Sequence, residues 1–329
     1  MILKSFLAIR NSLRLCTSQG RHQARRRRKA KSCLPILTLP CAWDNLFHMA
    51  IIFSLVLILV KLTICLTALS VLLSYTVAWY ERANARPDLI ERRFTSRGVC
   101  IAIWLLVQET ACLLLTIIMR PFGWVKAKLP ETGQSDRPPV ILLHGLFQNR
   151  SCMFWLQFRL RSAGYLQTIS ISTPPWRDME TLTESLAKKI DELRIKTKVE
   201  KVVLIGHSMG GMIARNYIQN RGGAAHVYGM VTLGSPHHGS KLAPFAVSPM
   251  GRMLLPGSEF LTQFNSVAWP EQAKAVSIYT RYDNIVLPAE SAKMPGAQII
   301  ELDGMGHTSL LFHPRALQAV IKAVEQITT

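Results

Sequence analysis

Apolar residues along this chain follow two different rhythms, and the change falls near residue 130. From Leu46 to Trp79 they run almost unbroken, interrupted by His48 and Lys61, and Val99 to Met119 is a second run that carries Gln108 and Glu109. A bilayer is crossed by about 20 apolar residues, so both runs predict membrane helices, at about 49–80 and 99–119. No Gly or Pro stands at Lys61 to turn the chain. The first run therefore reads as one long tilted helix, with Trp79 and Tyr80 as interfacial anchors. Glu109 is the discordant residue, because a carboxyl in mid-membrane is costly. Either it is protonated, paired or turned to a helix, or the second run is a hydrophobic helix lying against the membrane or the C-terminal domain.

Beyond a polar linker, 121–137, the pattern alternates. Short apolar runs at Val140–Leu143, Leu166–Ser172, 201–205, Val227–Leu233, Ala275–Thr280 and Gln298–Leu302 read as strands. Helical patterns separate or follow them at Met153–Ala163, Asp178–Lys196, 209–220 and Arg315–Ile327. Strands alternating with helices predict an α/β domain, 138–329, with a mostly parallel sheet covered on both faces. Residues 240–272 break the alternation and read as a short cap, rich in Leu242, Phe245, Met250, Leu254, Phe260 and Phe264. A lipid-facing lid and ordinary packing over the sheet both fit that composition. With Trp155 and Trp176 it suggests an apolar acyl pocket.

Charge adds a third region. The net charge is +19, and residues 1–128 supply +14 of it. A block at Arg25-Arg26-Arg27-Arg28-Lys29 lies in a basic segment, 1–45, without strong periodicity and expected to have little order. Ahead of an apolar run such a block reads as a cytoplasmic flank, so no nucleic-acid partner is expected. Five arginines between Glu81 and Gly98 oppose that orientation if both helices span, and the side of the C-terminal domain stays open. The expected location is a bacterial inner membrane, crossed more than once. The first run is too long and too far from the start for a cleaved signal peptide, and Met49 offers an alternative start. Of seven cysteines only Cys152 lies in the C-terminal domain, so no disulfide can form within it.

The candidate chemistry centres on Val202-Val203-Leu204-Ile205-Gly206-His207-Ser208-Met209-Gly210-Gly211. Four β-favouring residues run into Gly-x-Ser-x-Gly and a helical pattern follows, the strand–turn–helix context of a nucleophile elbow. Glycine at 206 and 210 is expected because side chains there would strike the neighbouring strand or helix. A serine hydroxyl is a weak nucleophile at neutral pH and needs a base and an orienting acid. Asp283 follows the strand Ala275–Thr280, and His307 follows Gln298–Leu302, giving the order Ser, Asp, His. The expected roles are Ser208 as nucleophile, His307 as base then acid, and Asp283 as the group that fixes the imidazole. Asp303 shares one short loop with His307 and reads as a turn residue, and His313, before a proline, as structural. His237 and His238 fit either a cleft wall or a turn. Two backbone donors must face the developing oxyanion, and Met209 N–H and Leu146 N–H, in His144-Gly145-Leu146-Phe147, are placed to supply them. His144 reads as a support of that loop.

Together His-Gly-Leu-Phe at 144–147, Gly-His-Ser-Met-Gly-Gly at 206–211, Leu-Gly-Ser-Pro-His-His-Gly-Ser at 233–240, Tyr-Asp-Asn-Ile-Val at 282–286 and Gly-His at 306–307 resemble the bacterial lipase and esterase branch of the α/β-hydrolase family. The resemblance covers about 138–329 and leaves the apolar N-terminal part outside it. It implies the α/β-hydrolase fold and hydrolysis of lipophilic carboxylic esters through an acyl-enzyme, with no cofactor. No acidic pair matches the calcium site of some secreted relatives, so no metal is expected. The expected partners are a lipophilic acyl ester and membrane lipid. Thioester hydrolysis or acyl transfer would use the same three residues, and an idle fold serving as a membrane scaffold is the reading from another class.

Overall fold

A computed structural model describes residues 39–85, 95–125 and 136–329, with side chains from Leu46 onward. The arginine block, most of the linker, half of the arginine-bearing loop and residues 1–38 of the segment expected to have little order lie outside the described residues. The chain divides into two compact units, Met1–Leu59 and Val60–Thr329. Helix α1, Leu39–Ala85, runs through both. It begins ahead of the expected residue 49; Pro40 falls in its first turn, where a missing N–H costs nothing. In the first unit its apolar side chains, Ile52, Phe53, Leu55 and Ile58 among them, are exposed.

Within the second unit α1 continues past Tyr80, because the charged residues beyond it find partners there. Glu81 pairs with Lys241, and the Arg82 guanidinium lies over the Tyr282 ring at 4.9 Å. Thr67, Val71 and Tyr75, one turn apart on α1, are buried. The last two pack with Leu105 of helix α2, Ser96–Met119. Both helices are long and apolar enough to cross a membrane. Leu105, Glu109 and Thr116 of α2 are buried, and its contacts with the turn Thr308–Leu311 place it against the C-terminal domain. Ile103, Trp104, Val107 and Ile118 remain exposed on it.

That domain is built on a six-stranded sheet of order β2-β1-β3-β4-β5-β6, with every neighbouring pair parallel. The strands are β1 Val140–Leu143, β2 Thr168–Ile171, β3 Val202–His207, β4 Val227–Leu233, β5 Lys274–Thr280 and β6 Gln298–Leu302. The first three are buried along their whole length, as expected of a parallel sheet covered on both sides; this explains the apolar runs of β1 and β3, while β2 buries Thr168 and Ser170. Alternate residues feed two cores. Ile141, Leu143, Val202 and Leu204 pack under α4 (Met179–Thr197) and α5 (Met209–Asn220). Val140, Leu142, Val203 and Ile205 pack under α3 (Phe154–Ser162) and α8 (Pro314–Thr328).

The segment 240–272 holds two short helices, α6 Pro249–Met253 and α7 Glu259–Ser266. Met250, Leu254, Leu261 and Phe264 join the first core, whereas Phe245 and Val247 stand exposed. The cap is thus packed along one side and apolar toward solvent on another. Because every pair is parallel, all strand carboxyl ends lie at one edge of the sheet, the usual place for chemistry in such sheets.

Candidate active site

Ser208 sits between the end of β3 and the start of α5, with φ 53° and ψ −123°. This lies in the left-handed half of backbone space, which non-glycine residues occupy at a cost of order 1–3 kcal/mol. Its surroundings enforce the conformation. A Cβ on Gly206 would overlap the Gly210–Gly211 backbone, and one on Gly210 the Leu143 carbonyl. Ser208 N–H donates to the Leu233 carbonyl at 2.8 Å, tying the turn to β4.

Asp283 and His307, from the loops after β5 and β6, meet as a buried pair. Asp283 Oδ2 accepts from His307 Nδ1 at 2.8 Å, while Oδ1 accepts from Ile285 N–H and Val286 N–H, both at 2.8 Å. Asp303 is exposed and makes no bond to the imidazole. Burial alone would lower the His307 pKa; the Asp283 charge and hydrogen bond, with the Glu109 charge, outweigh it and leave His307 above the ordinary histidine value. No hydrogen bond joins Ser208 to His307 in this structure. Such bonds are often long without substrate and tighten in the complex.

The Leu146 loop lies beside the serine, since a Cβ on Gly145 would come 3.1 Å from Ser208 Cβ. Leu146 N–H has no backbone partner, and Met209, opening α5, has no acceptor within its helix. The loop is held from behind. His144 Nε2 accepts from Thr173 N–H at 2.9 Å, which leaves its Nδ1 to donate to the Gly145 carbonyl at 2.8 Å. Burial pushes His144 down to about 4, so it stays neutral. The Gln148 side-chain oxygen Oε1 accepts from Gly145 N–H at 3.1 Å.

A family model described as palmitoyl protein thioesterase matches residues 139–289, a span that includes Ser208 and Asp283 and ends before His307. A Bacillus licheniformis lipase in its mature form superposes with a TM-score of 0.52 at 20% identity, over 61% of this chain and 98% of that one. Aspergillus fumigatus lipase B gives 0.51 at 16% identity, over 60% of this chain and 56% of its own. The fold is that of the α/β-hydrolases.

Other residues support the candidate site without having announced themselves in the sequence. His207 is fully enclosed; its Nε2 donates to the His307 carbonyl at 3.1 Å, and the two rings lie 4.7 Å apart. Burial first, then the His307 charge, lowers its pKa far below the usual value. Asn284 Oδ1 accepts from His307 N–H at 3.2 Å, and Asn284 Nδ2 donates to Ser74 Oγ of α1 at 2.7 Å. Glu109 accepts from Thr308 N–H and Ser309 N–H. Leaving a buried N–H without an acceptor costs about 1–3 kcal/mol, so this carboxylate satisfies a real demand. Its signal in the sequence was the misplaced charge itself. His237 is buried, with Nε2 at 3.2 Å from Thr232 Oγ1, and its carbonyl accepts from Asn265 of α7; it braces a turn. His313 caps α8 by accepting from Arg315 N–H. Trp176 packs edge-on to Phe147 beside the Leu146 loop, whereas Trp155 stacks on Phe158 along α3.

Proposed function

We propose that this protein is a membrane-associated serine hydrolase that cleaves lipophilic carboxylic esters through an acyl-enzyme. The observation that carries the reading is Ser208 held at φ 53° on its elbow, with the enclosed Asp283–His307 pair reached through the adjoining His207. Ser208 Oγ attacks the acyl carbon as its proton passes to His307 Nε2, which is free because Nδ1–H is committed to Asp283. The carbonyl oxygen becomes an oxyanion facing the N–H groups of Leu146 and Met209. Collapse breaks the bond to the alcohol, which leaves with the proton from His307. Water then repeats the sequence on the acyl-enzyme and releases the carboxylic acid. The exposed apolar surface of α1 and α2 supports contact with membrane lipid.

Because His307 must be neutral to accept the serine proton, its raised pKa sets the acid side of the rate profile. We expect kcat/KM for a soluble ester to rise with pH through a midpoint above about 6.5, the unperturbed histidine value. A midpoint lower than that would show that Asp283 does not act on the base as the geometry implies.

A long-chain acyl thioester is the second substrate class, favoured by the match to palmitoyl protein thioesterases over 139–289. The mechanism is the same with a thiol leaving. A fluorophosphonate probe on the full-length protein in detergent tests the shared step, and p-nitrophenyl esters and acyl-CoA thioesters of increasing chain length then divide the two classes. Absence of labelling in the wild type would sink the enzyme reading. Turnover confined to thioesters would replace the ester assignment.

A further inference from the structure

Glu109 is 1% exposed, yet no step written for Ser208 uses it. Its Oε2 accepts from Thr308 N–H at 2.8 Å and its Oε1 from Ser309 N–H at 2.7 Å. These are the two residues that follow His307. The histidine's own N–H is held by Asn284, which is in turn held by Ser74. Three consecutive amides are therefore fixed by side chains that lead back to α1 and α2. A carboxylate using both oxygens is among the strongest partners backbone N–H groups can have. Gly306 makes room for the approach, because a Cβ there would overlap the Tyr75 hydroxyl and the Glu109 carboxyl. Ser309 closes the turn, its Oγ accepting from Gly306 N–H at 2.8 Å and donating to the Gly306 carbonyl at 3.1 Å.

We propose that Glu109 is a positioning residue for His307, clamping the turn behind the imidazole to helix α2 so that the helical pair belongs to the catalytic apparatus. This rests on reading His307 as the base. A purely structural acid would hold the helix in place without reaching the chemistry, and the pH profile separates the two roles. The groups that face His307 are Asp283 at Nδ1, His207 against the ring and carbonyl, Glu109 below the turn, and Tyr75 beside Gly306. Asp283 and Glu109 are the carboxylates among them, and both favour the protonated imidazole. Burial raises the Glu109 pKa against the Ser309 and Thr308 hydrogen bonds and the His307 charge; at pH values where Glu109 is ionised, taking away its charge makes His307 lose its proton at lower pH.

The test uses the full-length protein in detergent micelles, comparing Glu109→Gln and Glu109→Ala with wild type on a p-nitrophenyl ester. Displacing a catalytic group slightly lowers rates by about 10- to 100-fold, so kcat is expected to fall by that factor with KM little changed. The acid limb of kcat/KM is expected to move to lower pH in Glu109→Gln. A folded Glu109→Gln protein with the wild-type kcat, or with a lowered kcat and an unmoved limb, overturns the proposal. Should both variants lose their cooperative melting, hydrogen exchange on the wild type decides: the clamp requires slow exchange at Thr308 and Ser309, and exchange at open-turn rates overturns it. Ser208→Ala in parallel separates the failures. If that variant still reacts with fluorophosphonate, the reading of the site is wrong; if it does not and Glu109→Gln is unaffected, only the clamp is lost.

Discussion

Ser208→Ala is expected to reduce kcat/KM for an ester by about 10⁴- to 10⁶-fold, the range seen when a hydrolase nucleophile is removed. The chemistry has no substitute route of comparable speed. His307 can still accept a proton from water, and the Leu146 and Met209 amides can still face an oxyanion. Those features alone leave a residual of about 10³- to 10⁴-fold over the uncatalysed reaction. The variant is also expected to melt as the wild type does. Ser208 Oγ donates no hydrogen bond among the described residues, and alanine and serine meet the same backbone demand at φ 53°. Loss of turnover with unchanged melting would therefore be a loss of chemistry. If activity persisted, the nucleophile would have to be sought elsewhere along the carboxyl ends of the strands.

Asp283→Asn is the second large effect, about 10⁴-fold in kcat by analogy with the same change in other triads. The reason is geometric. Asp283 has one oxygen on the Ile285 and Val286 amides and the other on His307 Nδ1. An asparagine keeps two backbone bonds by giving its carbonyl oxygen to the amides, which turns its NH₂ toward the imidazole. His307 Nδ1 must then accept, its proton moves to Nε2, and that nitrogen can no longer take the serine proton. Steady-state rates for the purified variant check this; retention of most wild-type activity would remove Asp283 from the mechanism.

Much of this was legible before the fold was known, for a physical reason. Buried parallel strands write themselves as short unbroken apolar runs, and the elbow needs glycine where two backbones touch, so Gly206, Ser208 and Gly210 declare the turn locally. The order of Asp283 and His307 along the chain then follows from the strands that carry them. Other features depend on contacts between distant residues and leave no local mark. The extension of α1 to Ala85 reflects Glu81 meeting Lys241 and Arg82 meeting Tyr282. Asn284 and His207 look like ordinary neighbours of Asp283 and Ser208 until their bonds to the His307 backbone are seen. Glu109 lies between these cases: its cost in an apolar run was plain, but the two amides that answer it are about 200 positions away.

That separation bears on how the protein is made. Domains form as the chain emerges, N-terminal parts first, so α1 and α2 are finished while β6 and the turn after His307 do not yet exist. The segment after β6 brings with it the His307, Thr308 and Ser309 amides that Asn284 and Glu109 receive. On the proposed mechanism, a chain arrested before that docking would carry Ser208 without a seated His307, silent until α2 and the turn after β6 have met.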